Sequence, residues 1–281
     1  MLYTKIRSYA KINLALNITG KTSNLHNIES IIAFIDLHDD IFIKEIKSRN
    51  HNITFVGKFS KNIGNKNTIS KLLKLLDKKN LLRHRKFSIK INKRVPNKAG
   101  LGGGSMNAAN VLKYFINKKI VKIPKKTIFE ISKSIGSDVI LGLNQTYCIL
   151  TSKNKITNFP RCTKIYTLII KPNFGCLTKD IYSKVRKLSK PKFNKPNKKM
   201  FDFNYLKKSK NALEPIVFSK YKILEKIKID LENLQKCLFA RMSGSGSALI
   251  AYFSSKKTCQ NAYGQIRKKY KNYWCMASKT I

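Results

Sequence analysis

Apolar and polar residues alternate from residue 5 to residue 20, and this period of two predicts a strand ending at Gly20. On that period Ala10, Ile12, Leu14, Leu16 and Ile18 share one face, while Lys11, Asn13, Ala15 and Asn17 share the other. The same patterning predicts strands over 28–37, 40–46, 51–55, 87–92, 147–150, 165–172 and 273–277. Apolar positions recur at helical spacing over 67–82, where Ile69, Leu72, Leu73, Leu75 and Leu76 form one face and Asn67-Thr68 offers an N-cap. Further helices are predicted over 105–116, 123–136, 178–188, 205–218, 221–233 and 256–270. Polar loops fall at 22–27, 152–157 and 189–200, the last carrying Pro191, Pro196 and many lysines. A small-residue loop at 243–248 runs into another strand. The mixture of strands and helices, without an internal repeat, predicts an α+β protein.

One stretch stands out from this pattern. Between the strand at 87–92 and the helix at 105–116 lie Gly100, Gly102, Gly103 and Gly104, four glycines in five positions. Glycine permits positive φ and close approach of backbone to a ligand. The helix start that follows offers unpaired N–H groups and the positive end of its dipole. Strand, glycine loop and helix N-terminus together predict a phosphate cradle. No Gly-Lys-Ser/Thr follows the glycines, so this is not a Walker A loop. Asp138 lies between the helix-ending Gly136 and an apolar segment; by itself it reads equally as a general base or as a turn cap.

Composition changes the picture less than its size suggests. The 281 residues carry 58 Lys and Arg against 14 Asp and Glu, a formal charge of +44. Such a charge ordinarily points to nucleic acid. But nine of the 58 are arginine, leaving 49 lysines spread along the chain, and no RNP-like, zinc-finger or Arg-rich element accompanies them. With abundant Asn and Ile, the lysine excess reads as compositional drift in an A+T-rich genome, leaving a solvated surface that steers anions inward. Six cysteines, none in a Cys-x-x-Cys pair, read as structural thiols of a reducing compartment. No apolar run spans a bilayer and no signal-peptide pattern opens the chain, so a cytoplasmic protein without a membrane partner is expected.

Three motifs in fixed order, Ala10-Lys11-Ile12-Asn13-Leu14, the 96–109 glycine loop and Ser243-Gly244-Ser245-Gly246-Ser247, resemble the signature of the GHMP small-molecule kinases over essentially the whole chain. The segments at 135–139 and Asn211-Ala212-Leu213-Glu214 place the resemblance in the isoprenoid-pathway branch. It implies an α+β, two-domain GHMP-kinase-like fold, with a ribosomal-S5-like half at 1–155, a ferredoxin-like half at 156–281, and ATP and substrate in a cleft. It implies ATP with Mg²⁺, and a small-molecule acceptor: the 2-hydroxyl of a diphosphocytidyl methylerythritol. Lys11 and Asp138 would be the catalytic pair, Asp138 accepting the hydroxyl proton and Lys11 keeping it ionised. The backbone of Pro96, Asn97, Lys98, Ala99, Gly100, Leu101, Gly102, Gly103, Gly104, Ser105 and Met106 would hold the triphosphate. Asn13, His26 and Tyr182 would meet the diphosphocytidyl part, with Gly244 and Ser245 supporting the substrate. The chain departs from the pattern at Leu25, where a clamp tyrosine is usual, at Met106, at Ile140 and across 151–155. A kinase of another small alcohol and a basic nucleic-acid-binding protein stay open as alternatives, as do a monomer and a homodimer.

Overall fold

The computed structural model describes residues 2–22 and 26–281. The chain divides into two compact units, each assembled from separate segments. The first comprises Met1–Ala10, Leu37–Asn97 and Gly102–Gln145; the second comprises Lys11–Asp36, Lys98–Leu101 and Thr146–Ile281. Strands β1 (Thr4–Lys21) and β2 (His26–Ile46) pair with each other, and each contributes to both units.

In the first unit β2 is followed by β3 (Asn52–Val56), α1 (Thr68–Lys78), β4 (Lys86–Asn92), α2 (Gly103–Asn117) and α3 (Lys125–Ile135). Strand β4 pairs antiparallel with β2, in the register Asp40↔Asn92, and parallel with β3. The predicted N-cap of α1 forms: Asn67 Oδ1 accepts from Ile69 N and Ser70 N at 3.1 and 3.0 Å, while Ser70 Oγ accepts from Asn67 N. Ile69, Leu72, Leu73 and Leu76 then pack with Ile41, Ile89, Ile91, Leu112 and Phe115 into one core.

The second unit continues with β5 (Tyr147–Leu150), β6 (Ile156–Phe159), β7 (Tyr166–Lys171), α4 (Thr178–Ser183), α5 (Phe203–Lys208), α6 (Glu214–Lys220), α7 (Lys222–Glu232), β8 (Phe239–Met242), β9 (Leu249–Phe253), α8 (Lys256–Lys269) and β10 (Trp274–Lys279). β5 pairs antiparallel with β2 and β6. A four-stranded antiparallel sheet runs β10-β7-β9-β8. Its core joins Leu168, Ile170, Leu249 and Ala251 to Leu224, Ile227, Leu231, Ala262 and Ile266.

Four differences from the sequence reading have physical causes. The strands expected at 28–37 and 40–46 are one strand, β2, because the intervening polar residues are buried and matched: Asp39 pairs with Lys93, and Asp40 with Lys5 and Arg94 at 3.1 Å each. The helix expected over 178–188 stops at Ser183. Beyond it, Glu29 takes the amides of Lys192 and Phe193 at 2.8 and 3.0 Å, and Ser189 N donates to Ile18 O at 2.6 Å. The helix expected over 205–218 is interrupted at 209–213, where the backbone bonds instead to β1: Leu16 N donates to Lys210 O and Ala212 N to Leu16 O. Short strands β6 and β8 were not visible in the pattern, each being only four residues long.

All six cysteines are free thiols, as expected, and burial pushes Cys176, Cys237, Cys259 and Cys275 up to about 11. His51 is tied more tightly than a surface histidine. Its Nδ1 accepts the Phe87 amide at 3.0 Å and its Nε2 lies 3.1 Å from Asp77 Oδ2, which also takes Lys86 at 2.8 Å. Burial is the largest influence and lowers the His51 pKa; Asp77 opposes it and Lys86 adds to it. A histidine depressed in the folded state contributes stability above the unfolded value near 6.5 and loses it as pH falls through that range. Urea midpoints should therefore fall between pH 7.5 and 5.5, and His51→Gln should flatten part of that slope. An unchanged slope in His51→Gln would assign it elsewhere.

Candidate active site

The glycine loop is shared between the units, with 98–101 in the second and 102–104 opening α2 in the first. Gly102 is the N-cap of α2 with φ +69°, a left-handed conformation that favours glycine. The helix thus begins at Gly103, two residues earlier than the pattern indicated, and no side chain caps it. Its first amides face no competing cap, which is the arrangement of an anion site.

Within the first unit, three features gather near this helix start. Thr68 Oγ1 donates to Gly104 O at 2.7 Å, and Asn97 Nδ2 donates to Phe59 O at 2.7 Å. Both bonds tie the loop to the 59–68 segment, which borders a cavity of about 470 Å³ lined by Ile53, Phe55, Ser60, Ile63 and Asn67 among others. On the other side, the chain after α3 makes a 3-10 turn at Val139–Leu143 that packs on α2. A Cβ at Gly142 would come within 2.6 Å of Ala109 Cβ and 3.0 Å of Met106 Sδ. Small residues on both elements are what allow the contact. It carries Asp138, half-buried at the N-cap of the turn, whose carbonyl accepts Leu141 N at 3.2 Å. A Cβ at Gly136 would lie 3.7 Å from Ser105 Oγ, so Ser105 and the Asp138 turn are neighbours.

Within the second unit, Lys11 and Asn13 sit side by side on β1. They lie on the more polar face of the alternation, yet Lys11 is only 5% exposed and Asn13 3%. Lys11 Nζ donates to Asn13 Oδ1 at 2.6 Å, and Asn13 Nδ2 donates to Ser30 Oγ at 2.8 Å. Asn13 N meets Ser243 Oγ at 3.3 Å, and Ser243 Oγ donates to Gly100 O at 2.9 Å. Lys11 N donates to Leu101 O at 3.1 Å. Strand β1, loop 98–101 and loop 243–248 therefore form one cluster. Gly100, at φ +73°, has no room for a side chain, because a Cβ there would overlap the Ser243 carbonyl. Gly244 is less crowded but still close: its Cβ would stand 3.3 Å from Gly100 O and 3.4 Å from Asn13 Oδ1. Ser245 Oγ bonds Thr178 Oγ1 at 3.0 Å at the start of α4.

Two further residues hold this cluster, and only the second was marked in the sequence. Arg241 is buried on β8 and donates to three carbonyls, Leu14 O, Leu206 O at 3.0 Å and Ser209 O at 2.5 Å. Burial lowers its pKa, opposed by Tyr252 and the carboxylates of Glu214 and Glu232. Asn211 donates to Met242 O and Gly244 O, both at 2.8 Å. The motif Asn211-Ala212-Leu213-Glu214 marked that position, but not what it braces.

The rings of His26 and Tyr182 lie 5.4 Å apart, inclined at 48°. Nε2 of His26 is buried and lacks a hydrogen-bond partner among the described residues. Burial, then Lys21, lowers its pKa. Leu25 lies outside the described residues. Among those described, no cluster of three His, Cys, Asp or Glu could hold a metal, and no helix is long and apolar enough to cross a membrane.

Comparison with known proteins extends this picture. The family profile described as GHMP kinases N terminal domain matches residues 67–152, and that described as GHMP kinases C terminal matches 186–272. A 4-diphosphocytidyl-2-C-methyl-D-erythritol kinase of Pelagibacter ubique is 56% identical over 277 residues, covering 99% of each chain. The enzyme of the same description from Clostridium perfringens strain SM101 is 32% identical over 99% of this chain and 98% of its own. A crystal structure of 4-(cytidine 5'-diphospho)-2C-methyl-D-erythritol kinase shares the fold, with a TM-score of 0.81 at 20% identity and 99% coverage of both chains. A homoserine kinase from Cytophaga hutchinsonii does so with a TM-score of 0.70, at 16% identity, over 99% of this chain and 94% of its own.

The overlap at Gly100 gives a direct test. Gly100→Ala must leave the left-handed region or displace the Ser243 carbonyl. It should lose at least about 1 kcal/mol in urea unfolding, the penalty for a left-handed non-glycine alone, together with function of the site. Wild-type stability in that variant would show that the two loops can separate without consequence.

Proposed function

The chain belongs to the GHMP kinase family, among its 4-diphosphocytidyl-2-C-methyl-D-erythritol kinases, and we propose that it transfers the γ-phosphoryl group of ATP to the 2-hydroxyl of that diphosphocytidyl alcohol. The activity rests on the 56% identity that runs through the whole chain. The substrate is further supported by the paired rings of His26 and Tyr182, with an unpartnered His26 Nε2, which suit a pyrimidine that needs both a stacking face and a hydrogen-bond partner.

The residues divide the work. The backbone of Pro96, Asn97, Lys98, Ala99, Gly100, Leu101, Gly102, Gly103, Gly104, Ser105 and Met106 holds the triphosphate, the amides at the start of α2 meeting its negative charge. The cavity bordered by 59–67 receives the base, since Thr68 and Asn97 tie that segment to the loop. Asp138 takes the proton of the acceptor hydroxyl as its oxygen attacks the γ-phosphorus and ADP departs. Lys11, oriented by Asn13, stabilises charge on the transferring group. Asn13 and His26 contact the diphosphocytidyl part, Tyr182 stacks on the cytosine, and the Gly244 and Ser245 backbone supports the bound alcohol.

Mg²⁺ suits such a site. It takes few protein ligands and is bound largely through phosphates and waters, so one hydroxyl and one carboxylate suffice, and Ser105 and the Asp138 turn are neighbours. When bound, it neutralises phosphate charge.

A coupled ADP-release assay on this alcohol, with mevalonate and homoserine alongside, tests the substrate. Turnover confined to either of the others would overturn the assignment. Asp138→Asn should lower kcat at least about 100-fold, the usual contribution of a positioned base, while ATP still binds. A near-wild-type rate would remove Asp138 from that role.

A further inference from the structure

We infer that Asp39 is a positioning residue for ATP, acting through the phosphate-binding loop, which it fastens at both ends from beneath. The inference rests on the nucleotide role just assigned to that loop.

Asp39 lies in the middle of β2 and is wholly buried, at 0% exposure. Its carboxylate accepts four donors from two places, 93–95 and Asn107. Oδ1 takes the backbone amides of Arg94 and Val95, at 2.7 and 2.8 Å. These are the residues that lead from β4 into Pro96 and the loop. Oδ2 takes Asn107 Nδ2 at 2.9 Å, from the second turn of α2, and the ammonium of Lys93. One carboxylate thus holds the entrance to the loop and the helix that leaves it.

Lys93 shows why a carboxylate is required. It is 2% exposed, and its Nζ lies 3.3 Å from where a Cβ of Gly103 would stand. Val95 Cγ1 lies 3.0 Å from the same point. The ammonium therefore sits against the first residue of α2. A buried cation in that place needs a buried anion, and Asp39 supplies it while spending its remaining lone pairs on the loop. Charge-assisted hydrogen bonds of this kind are shorter and stronger than neutral ones. None of the four donors belongs to a solvent-facing side chain that could exchange for water, so this one group fixes the two ends of the loop, at 94–95 and at 107. Asn107 Oδ1 is itself buried and unpartnered. The side chain of Asn107 is accordingly spent on Asp39 alone.

Asp39→Asn keeps the shape of the residue but turns an NH₂ toward Lys93 and Asn107, both donors. Asn107→Leu breaks the link to α2 and leaves the Asp39–Lys93 pair intact, so it decides the matter even if Asp39→Asn fails to fold. ATP binding to the whole protein would be read by calorimetry, and KM for ATP and for the alcohol by ADP release. Each variant that folds should weaken ATP binding and raise its KM about tenfold, the scale of one lost hydrogen bond to a charged group, with KM for the alcohol within twofold. Wild-type ATP affinity in Asn107→Leu, or an equal rise in both KM values, would overturn the inference and leave the kinase assignment standing. Failure of the wild-type protein to bind ATP would overturn the role of the loop itself.

Discussion

The second unit is organised by a place where no atom can be added. Gly100 and Ser243 meet backbone to backbone, with the Ser243 carbonyl standing where a Cβ of Gly100 would go. That approach lets Ser243 Oγ reach Gly100 O on one side and Asn13 N on the other. Asn13 in turn orients Lys11. Arg241 and Asn211 hold the surrounding carbonyls, so β1 cannot shift without breaking charged bonds in the interior. A lysine that would ordinarily be solvated is thereby kept in one position. The geometry of β1 at Lys11 follows from an excluded volume more than from any single attraction.

What could be read beforehand follows from how local each signal is. The α1 cap, the β4–glycine–α2 sequence and the strand beginning at Thr4 depend on neighbours within a few residues, and their patterns were legible. The break in the helix expected over 205–218 was not, because its cause is a backbone pairing with Leu16, nearly two hundred positions away. The continuity of β2 was hidden for the same reason: Asp39 and Asp40 look like a turn until Lys93, Arg94 and Lys5 are beside them. Lys11 was picked out by resemblance; alternation gave its face but not its burial. Arg241 gave no local sign at all, since a buried guanidinium satisfied by three carbonyls leaves nothing in its own neighbourhood of sequence.

The interior is also more polar than its composition of aliphatic residues suggests. Glu29 is buried with no cation against it in the described contacts; Asn17 and two backbone amides take its oxygens. That carboxylate holds in place the lysine-bearing segment that follows Tyr182. Where a solvated loop was expected, an ordered strap runs instead, fixed at Ile18, Glu29 and the buried Phe193. Irregular backbone is held there by the bonds that the Ser189, Lys192 and Phe193 amides make to Ile18 and Glu29.

With 58 basic residues and 14 acidic ones, the chain behaves like a molecule that has been screened against carboxylates. Among so many lysines, at least half of the acids are tied into the fold by a specific partner. Asp39, Asp40, Glu45, Asp77, Glu214 and Asp230 each hold a basic side chain, and Glu29 a backbone turn. Biased composition can thus do some of the work of a family of sequences: the scarce residue type, mapped on one chain, traces the places where charge is structurally required.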